Sequence, residues 1–395
     1  MVDNHLKKIK VFHFYNGTGG GVLSVIKNLL KYSENPAIEN HVIFTINKNL
    51  LPGYEMPLLE GAATQQLFYF SRNWNFYYTC KQLAKLLPDD KSVVIAHDWL
   101  ELGMVSNLGL QNPVIHFLHG DFDYYYDLAK KHGQSIDQFI AISPVIYDTL
   151  CRLLPDRKAD INYCRFPVPV AQPVNKENKI LKIIYCVRSL VEERKQFKLL
   201  PLINEKLISE NLKIDWTIVG AGMEPQQVEN LMKQQIGISF FSSLTNEEVI
   251  ELLPQHDIFI LPSLNEGFPV AVVEAMKAGL VPLVTNWDGA TEELIVERET
   301  GFYFAAGDAD GYVAIISLLN SDRKLLHQIA ANAIKKANEL FDPFTNTKAI
   351  EEVIFKAYSK DKKIKKPFKV YGSRLDREWL PNLITKTIRD NVDSN

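Results

Sequence analysis

Short runs of branched and aromatic residues alternate along the chain with longer runs whose apolar positions recur every three or four residues. IKVFHFY (9–15) is followed by a glycine turn and then by GVLSVIKNLLKYS, in which Val22, Val25, Ile26 and Leu29 fall at helical spacing. HVIFTIN (41–47), VVIAHDW (93–99), NPVIHFLHG (112–120) and DQFIAIS (137–143) read as further strands, each followed by polar or glycine-containing loops. The alternation breaks at RFPVPVAQPVNKENK (165–179), where prolines and a polar tail predict a stiff, solvated linker. It then restarts with LKIIYCV (181–187), KIDWTIVG (213–220), GISFFSS (237–243), DIFILPS (257–263) and LVPLVTN (280–286). TNEEVIELLPQH (245–256) opens with a Thr-x-x-Glu capping pattern. Strand–helix alternation predicts parallel sheets with helical crossovers, hence an α/β protein.

The expected organisation is a first α/β domain over 1–168, a linker over 169–179, a second α/β domain over 180–358 and a C-terminal segment, 359–395, that crosses back to the first. That last segment holds the basic stretch KDKKIKKPFKVYG (360–372). It ends in DREWLPNLITKTIRD (376–390), a helix with a start near Pro381 whose Trp379, Leu380, Leu383 and Ile384 are expected to pack.

Length and composition sharpen this picture. The chain has 395 residues, too many for one ordinary core. Hydrophobic residues make up 46% and charged residues 23%, and the net charge is −3, so the basic excess of a nucleic-acid binder is missing. The four cysteines, Cys80, Cys151, Cys164 and Cys186, form no C-x-x-C pair and no zinc-spaced cluster with histidine. No apolar run approaches the roughly 20 residues of a membrane-spanning helix, and the N-terminus reads as a strand. Cytoplasmic residence is therefore expected. The basic run leaves room for a peripheral contact with the inner membrane face, although a solvated crossover is the simpler reading.

Chemistry concentrates where strands end. In YNGTGGGVLS, Gly19, Gly20 and Gly21 sit between strand and helix, where backbone can approach an anion. A dinucleotide fingerprint is not complete there: the third glycine would fall on Val22 or Ser24. The next strand ends in Asn47-Lys48 rather than in an acid. In LPSLNEGFPVAVVEAMKAG (261–279), Glu266 lies in a loop and Glu274 in a helix started by Pro269, eight positions on. The N–H groups of Gly267 and Phe268 are expected to face the cleft at the carboxyl ends of the strands. A carboxylate there can accept from vicinal hydroxyls such as those of sugars and riboses. The competing structural reading makes Glu266 a cap and pairs Glu274 with Lys277. CVRSLVEERKQ places Arg188 at a strand end and Lys195 seven residues on, with Arg194 as its neighbour; two cations at a strand end suit a diphosphate. Gly220 and Gly222 in IVGAG mark a tight turn or a close ligand. His119 and His97 stand at strand ends of the first domain.

In order and spacing, HDIFILPSLNEGFPVAVVEAMKAGLVPLVT resembles the E-x7-E region of the retaining glycosyltransferases of family 4, which have the GT-B architecture. VRSLVEERK, IVGAG and WDGATEELIVERETGFYF (287–304) occur in the order that family shows. The resemblance covers most of the second domain and is looser in the first. It implies two Rossmann-like domains facing each other across a cleft, the first binding acceptor and the second a nucleotide sugar. It implies that Glu274 binds the ribose hydroxyls, and that Glu266 with the Gly267-Phe268-Pro269 backbone holds the sugar hydroxyls and phosphate. Arg188 and Lys195 would stabilise the departing diphosphate, His119 would face the sugar near its anomeric carbon, and the glycines 19–21 and Gly220 would approach the donor or acceptor. Val187 stands where that family has a glycine, and the interval from arginine to lysine is longer, so Lys195 and Arg194 both remain candidates for the second cation.

The expected activity is a metal-independent, retaining transfer of a sugar from a nucleotide-diphosphate sugar to a hydroxyl of a glycan or lipid-linked saccharide, with no cofactor. With no nucleophilic carboxylate evident, front-face attack is expected, a phosphate oxygen taking the acceptor proton. The alternatives are a sugar-nucleotide epimerase, a non-catalytic nucleotide- or sugar-binding protein and, third, a dehydrogenase.

Overall fold

The structure is a computed structural model and describes residues 8–18, 20–171, 178–232, 238–287, 290–360 and 364–393. The chain divides into two units, 1–167 with 344–395, and 168–343.

The first unit is built on seven parallel strands: β1 (Ile9–Tyr15), β2 (Ile38–Asn47), β3 (Thr64–Phe70), β4 (Val93–Ala96), β5 (Val114–Leu118), β6 (Gln138–Ala141) and β7 (Ile161–Tyr163). Their spatial order is β3-β2-β1-β4-β5-β6-β7. β1 is buried along its length except at Lys10, as a strand covered on both faces must be. It pairs with β2 from Ile9↔Ile38 to Tyr15↔Phe44 and with β4 from Val11↔Val93. The helix Gly21–Tyr32 lays Val25, Ile26, Leu29 and Leu30 on the sheet, the stripe its period predicted, while Val22 at its start is only half buried.

Strand β3 lay outside the strands predicted from sequence. It is an edge strand in which Phe68 and Phe70 are buried and Leu67 and Tyr69 are exposed. Apolar residues occupy both of its faces, so no clean alternation marks it in the sequence.

The second unit is a six-stranded parallel sheet: β8 (Leu181–Ser189), β9 (Ile214–Ala221), β10 (Ile238–Phe241), β11 (Ile258–Leu261), β12 (Val281–Thr285) and β13 (Phe302–Phe304), ordered β10-β9-β8-β11-β12-β13. The capping box before β11 forms as its sequence predicted. Thr245 Oγ1 accepts from Glu248 N at 3.2 Å, and Glu248 Oε2 accepts from Thr245 N at 2.7 Å.

Two boundaries differ from expectation. The chain leaves the second unit at Pro343 rather than after 358, so the helix Pro343–Ser359 falls almost wholly in the first unit. At the linker, the first unit ends at Pro167, and residues 172–177 of the expected linker lie outside the described residues.

The C-terminal segment belongs to the first unit, where Tyr371 packs on Phe76 and Trp99 with ring centroids 5.8 and 5.5 Å away, but the apolar residues expected to pack are not what attaches its end. Trp379 and Leu383 are exposed, as is much of Ile384, and only Leu380 is partly covered. Asp376 instead accepts from Phe76 N at 2.7 Å and from Arg389 Nη2 at 2.7 Å, and Arg389 Nη1 donates to Trp74 O at 2.6 Å. Asn75 Nδ2 donates to the carbonyls of Arg377 and Leu380, each at 2.9 Å. The final helix runs Asn382–Asp393, immediately after Pro381. Upstream, the basic stretch is engaged within the unit. Lys360 Nζ is 2.6 Å from Asp160 Oδ1, and Lys365 Nζ is 2.6 Å from Asp137 Oδ2. Gly109, with φ +63°, gives way to Pro367, because a Cβ there would stand 2.8 Å from the proline nitrogen.

Candidate active site

Both sheets change direction between their first strand and their fourth, β1/β4 in one unit and β8/β11 in the other. In open parallel sheets, ligands bind beyond the carboxyl ends of the strands at such a reversal. The sequence candidates collect at these two places.

In the second unit, β8 ends in Val187-Arg188-Ser189 and leads to a single 3-10 turn, Glu193–Lys195. β11 ends at Leu261 and leads through Ser263–Gly267 to the helix Val270–Lys277. Leu264 N donates to Arg194 O at 2.8 Å, tying the two loops together. Lys195 Nζ then meets Glu266 Oε1 at 2.6 Å, and Tyr185 Oη donates to Lys195 O at 2.9 Å, fixing the backbone beneath it. Arg194 is held differently. It donates to Glu192 at 2.8 Å and to Asn265 O at 2.9 Å, and reaches Glu266 Oε2 only at 3.4 Å. Its side chain is also more exposed, 33% against 14% for Lys195. Of the two cations, Lys195 is the better buried and the more directly aimed. Arg188 lies exposed at the end of β8.

Pro269 is the N-cap of the following helix, not its first residue; the helix begins at Val270 and ends with Gly279 at φ +81°. Gly279 N donates to Met276 O and Leu280 N to Ala275 O, both at 3.0 Å, a glycine-terminated end as the sequence implied. Phe268 is buried, with its ring 5.5 Å from that of Phe341, which anchors the Gly267-Phe268-Pro269 turn. Glu274 is 8% exposed and forms no ion pair among the described residues; Asn246 Nδ2 donates to it over a long 3.4 Å. Burial pushes its carboxyl up to about 8. Lys277 does not partner it. Its Nζ donates instead to Val168 O at 2.6 Å and Phe341 O at 2.8 Å. A buried carboxyl without a cation, on the helix that follows the reversal strand, is able to hydrogen-bond a hydroxyl-bearing ligand.

Gly220 has a sufficient structural reason. A Cβ there would stand 2.8 Å from Leu190 Cδ2 and 2.9 Å from Val187 O, so the residue lets β9 and the β8 loop approach. Among the described residues no group of three His, Cys, Asp or Glu is placed to hold a metal ion, and no helix is long and apolar enough to cross a membrane.

In the first unit, Gly20 is the N-cap of Gly21–Tyr32 at φ +79°, ψ −162°, a region open essentially to glycine alone, and nothing lies within 4 Å of where its Cβ would be. Gly21 opens the helix and is exposed, and Gly19 lies outside the described residues. After β4, Asp98 caps the helix Trp99–Leu108, and Glu101 accepts from His97 N at 2.7 Å and Asp98 N at 2.6 Å. Asn16 Nδ2 and Tyr124 Oη both donate to the Asp98 carboxylate. His119, after β5, stacks on Phe117 at 4.6 Å and meets His97 at 2.7 Å between Nε2 and Nδ1. Burial, with His116 nearby, holds the His119 imidazole down at about 3. Sequence reading singled out His119 and His97 but missed His13, which reaches His97 from the middle of β1.

Residues 170–336 match the family model described as glycosyl transferases group 1. The second unit is a group 1 glycosyltransferase domain.

Curated relatives match shorter stretches of the chain. A Campylobacter jejuni N,N'-diacetylbacillosaminyl-diphospho-undecaprenol alpha-1,3-N-acetylgalactosaminyltransferase is 39% identical over 90 residues, 23% of this chain and 24% of the relative. An Escherichia coli UDP-Gal:alpha-D-GlcNAc-diphosphoundecaprenol alpha-1,3-galactosyltransferase is 28% identical over 125 residues, 31% of this chain and 30% of the relative. The chain thus matches only about a quarter to a third of the length of these relatives. Solved structures extend the likeness of fold to both units. Anabaena HepE in complex with UDP and glucose superimposes with a TM-score of 0.70 at 14% identity, covering 88% of this chain and all of that one. An E. coli structure described as trehalose-6-phosphate bound with UDP-2-fluoro glucose gives 0.65 at 13%, covering 90% and 100%. The fold is GT-B, two Rossmann-like α/β domains.

Proposed function

We propose that the protein is a retaining glycosyltransferase that moves a sugar from a nucleotide-diphosphate sugar to a hydroxyl of a glycan or lipid-linked saccharide. The observation that carries this reading is the Lys195–Glu266 pair at the β8/β11 reversal of a group 1 domain, with the unpaired Glu274 on the helix that follows. The two relatives named above, by their names, act on diphospho-undecaprenol saccharides, which favours a lipid-linked acceptor.

In this reading Glu274 accepts from the ribose hydroxyls. Glu266 accepts from the sugar hydroxyls, with the Gly267-Phe268-Pro269 backbone alongside the sugar and phosphate. Cleavage leaves positive charge on the sugar and negative charge on the departing diphosphate oxygen. Arg188 and Lys195 stabilise that oxygen, each well-placed donor lowering the barrier by about 3 kcal/mol. A phosphate oxygen takes the acceptor proton as the acceptor attacks from the leaving-group face. His119 contacts the sugar, and Gly20 and Gly21 let backbone approach donor or acceptor. Gly220 shapes the donor pocket by allowing β9 close to the β8 loop. The charge stabilisation comes from Arg and Lys, so no metal or other cofactor takes part. The work is done in the cytoplasm, with peripheral contact at the inner membrane face where the acceptor is held in lipid.

A thermal-shift screen of uridine-, guanosine- and adenosine-diphosphate sugars, followed by product analysis with a lipid-linked saccharide, tests the proposal. Acceptor-dependent release of nucleoside diphosphate with retained anomeric configuration, undiminished by chelator, is the expected result. Conversion of the nucleotide sugar without acceptor would establish the epimerase instead, and binding without turnover a non-catalytic protein.

A further inference from the structure

In the first unit an unbroken line of polar groups runs from His119 into the protein. His119 Nε2 is 2.7 Å from His97 Nδ1, and His97 Nε2 is 3.4 Å from His13 Nδ1. His13 Nε2 is 3.3 Å from Asn40 Oδ1, and Asn40 Nδ2 is 3.2 Å from Ser33 Oγ. Ser33 Oγ is 2.6 Å from Glu351 Oε1, on the helix Pro343–Ser359. His13, Asn40, His97 and Glu351 are all buried.

The direction of every bond in this line follows from its last member. A carboxylate accepts and does not donate, so the single Ser33 hydrogen goes to Glu351. Ser33 Oγ must then accept, so Asn40 turns its amide nitrogen toward it and its oxygen toward His13. His13 therefore donates from Nε2. A neutral imidazole carries one N–H, which leaves His13 Nδ1 an acceptor and makes His97 donate from Nε2. By the same step His97 Nδ1 accepts, and His119 donates from Nε2. Burial keeps the rings neutral: it lowers His13 to about 4 and His119 to about 3, and it lowers His97 well below the ordinary value, with His119 and His13 adding to the shift. The reverse orientation would set two acceptors against each other across the 2.6 Å between Ser33 and Glu351.

We propose that Glu351, acting through Ser33, Asn40, His13 and His97, fixes His119 in the Nε2–H tautomer and so presents its Nδ1 as an unprotonated acceptor for a sugar hydroxyl. His119 Nδ1 has no hydrogen-bond partner among the described residues. The tautomer stands on the geometry of this unit alone; the sugar as its partner rests on the proposed glycosyltransferase reading. The five residues behind His119 are positioning residues, and the consequence is specificity for a donor sugar that offers a hydroxyl, rather than a bare acceptor atom, at this point.

The test is long-range proton–nitrogen NMR of the full-length protein labelled with nitrogen-15 in histidine, with His119 assigned from its loss in His119→Gln. The ligand-free protein is expected to show His119 protonated at Nε2 and bare at Nδ1. In Glu351→Gln the terminal amide can donate or accept, so the line loses its fixed direction and both tautomers of His119 should appear. Ser33→Ala, which removes the link on a different element, should do the same and guards against a folding failure in the first variant. Protonation at Nδ1 in the wild type, or an unchanged single tautomer in both folded variants, overturns the proposal. With a working donor, Glu351→Gln should lower kcat by about fivefold, the loss of one ordinary hydrogen bond, with the acceptor KM unchanged. A donor fluorinated at the contacted carbon should abolish that difference between wild type and variant. If the tautomer is as expected and no nucleotide sugar is turned over, it is the functional reading that fails and the relay that survives.

Discussion

Lys195 Nζ and Glu266 Oε1 stand 2.6 Å apart, at the place where the second sheet reverses its strand order. Neither side chain is freely solvated; they are 14% and 10% exposed. In the proposed reaction a diphosphate would compete with Glu266 for Lys195, and the sugar hydroxyls would compete with Lys195 for Glu266.

Removing the competitor should separate binding from chemistry. In Glu266→Gln the amide keeps the shape but gives up the charge. Binding of a nucleoside diphosphate should tighten by about 1 kcal/mol, roughly fivefold, because the cation is no longer neutralised. Transfer should fall, since the sugar loses its acceptor. Calorimetry with the nucleoside diphosphate beside steady-state kinetics reads both. Weaker diphosphate binding in this variant would show that the ion pair is structural.

Arg188 sits at the exposed end of β8 and is expected to act on the leaving group alone. Arg188→Ala should lower kcat for transfer by about 10²–10³ and leave acceptor affinity within about twofold. Steady-state kinetics at saturating donor make the measurement, and equal turnover in variant and wild type would remove Arg188 from the mechanism.

What the sequence disclosed and what it hid have physical causes. Strands β1, β8 and β11 were legible because a strand buried on both faces must be a continuous apolar run. Glu266 and Lys195 were legible because short loops at the ends of such strands leave few places for charge, and Glu274 because the helix around it is largely apolar. The crossing at Pro343 was not, because the helix Pro343–Ser359 buries Ile350, Val353, Ile354 and Ala357, a stripe that would fit either unit equally well. The polar docking of the C-terminal segment on Asn75 and Asp376 was hidden for a related reason: hydrogen bonds between residues some 300 positions apart leave no local periodicity. His13 was masked by its place in IKVFHFY, where one polar residue in an apolar strand reads as ordinary filling.

Glu274 makes stability depend on pH in an unusual direction. Its folded value, about 8, lies above the ordinary 4.5. Between those values the unfolded chain has released its proton and the folded protein retains it, so stability falls as pH rises, by up to about 1.4 kcal/mol per pH unit from this group. Above about 8 both states are ionised and the loss is complete. Glu274→Gln carries no such penalty. Its melting temperature should match the wild type near about pH 4.5 and exceed it increasingly toward about pH 8, while nucleotide-sugar binding weakens. Thermal melts across that window decide the point; a variant less stable than wild type at the alkaline end would mean that the carboxylate is compensated in the folded protein.

Lys277 closes the second unit at both of its ends. Its Nζ donates to Val168 O and Phe341 O, and Val168 N donates to Phe341 O at 3.4 Å, so one side chain holds the residues by which the chain enters and leaves this unit. Burial lowers its amine from 10.5 to about 8, with Asp342 pulling the other way. Lys277→Met fills the space but leaves two buried carbonyls short of a donor, which should cost about 2–4 kcal/mol at neutral pH. The sign of the pH effect follows from the lowered value. Between about 8 and 10.5 the unfolded chain holds a proton that the folded protein has given up, so the penalty of burying the charge, fully present below about 8, is relieved as pH rises. The wild type should therefore gain stability over Lys277→Met across that range. Urea unfolding of both proteins at about pH 7, 9 and 10 measures the gap, and a gap that narrows with rising pH would mean that the ammonium form is the one these two carbonyls hold.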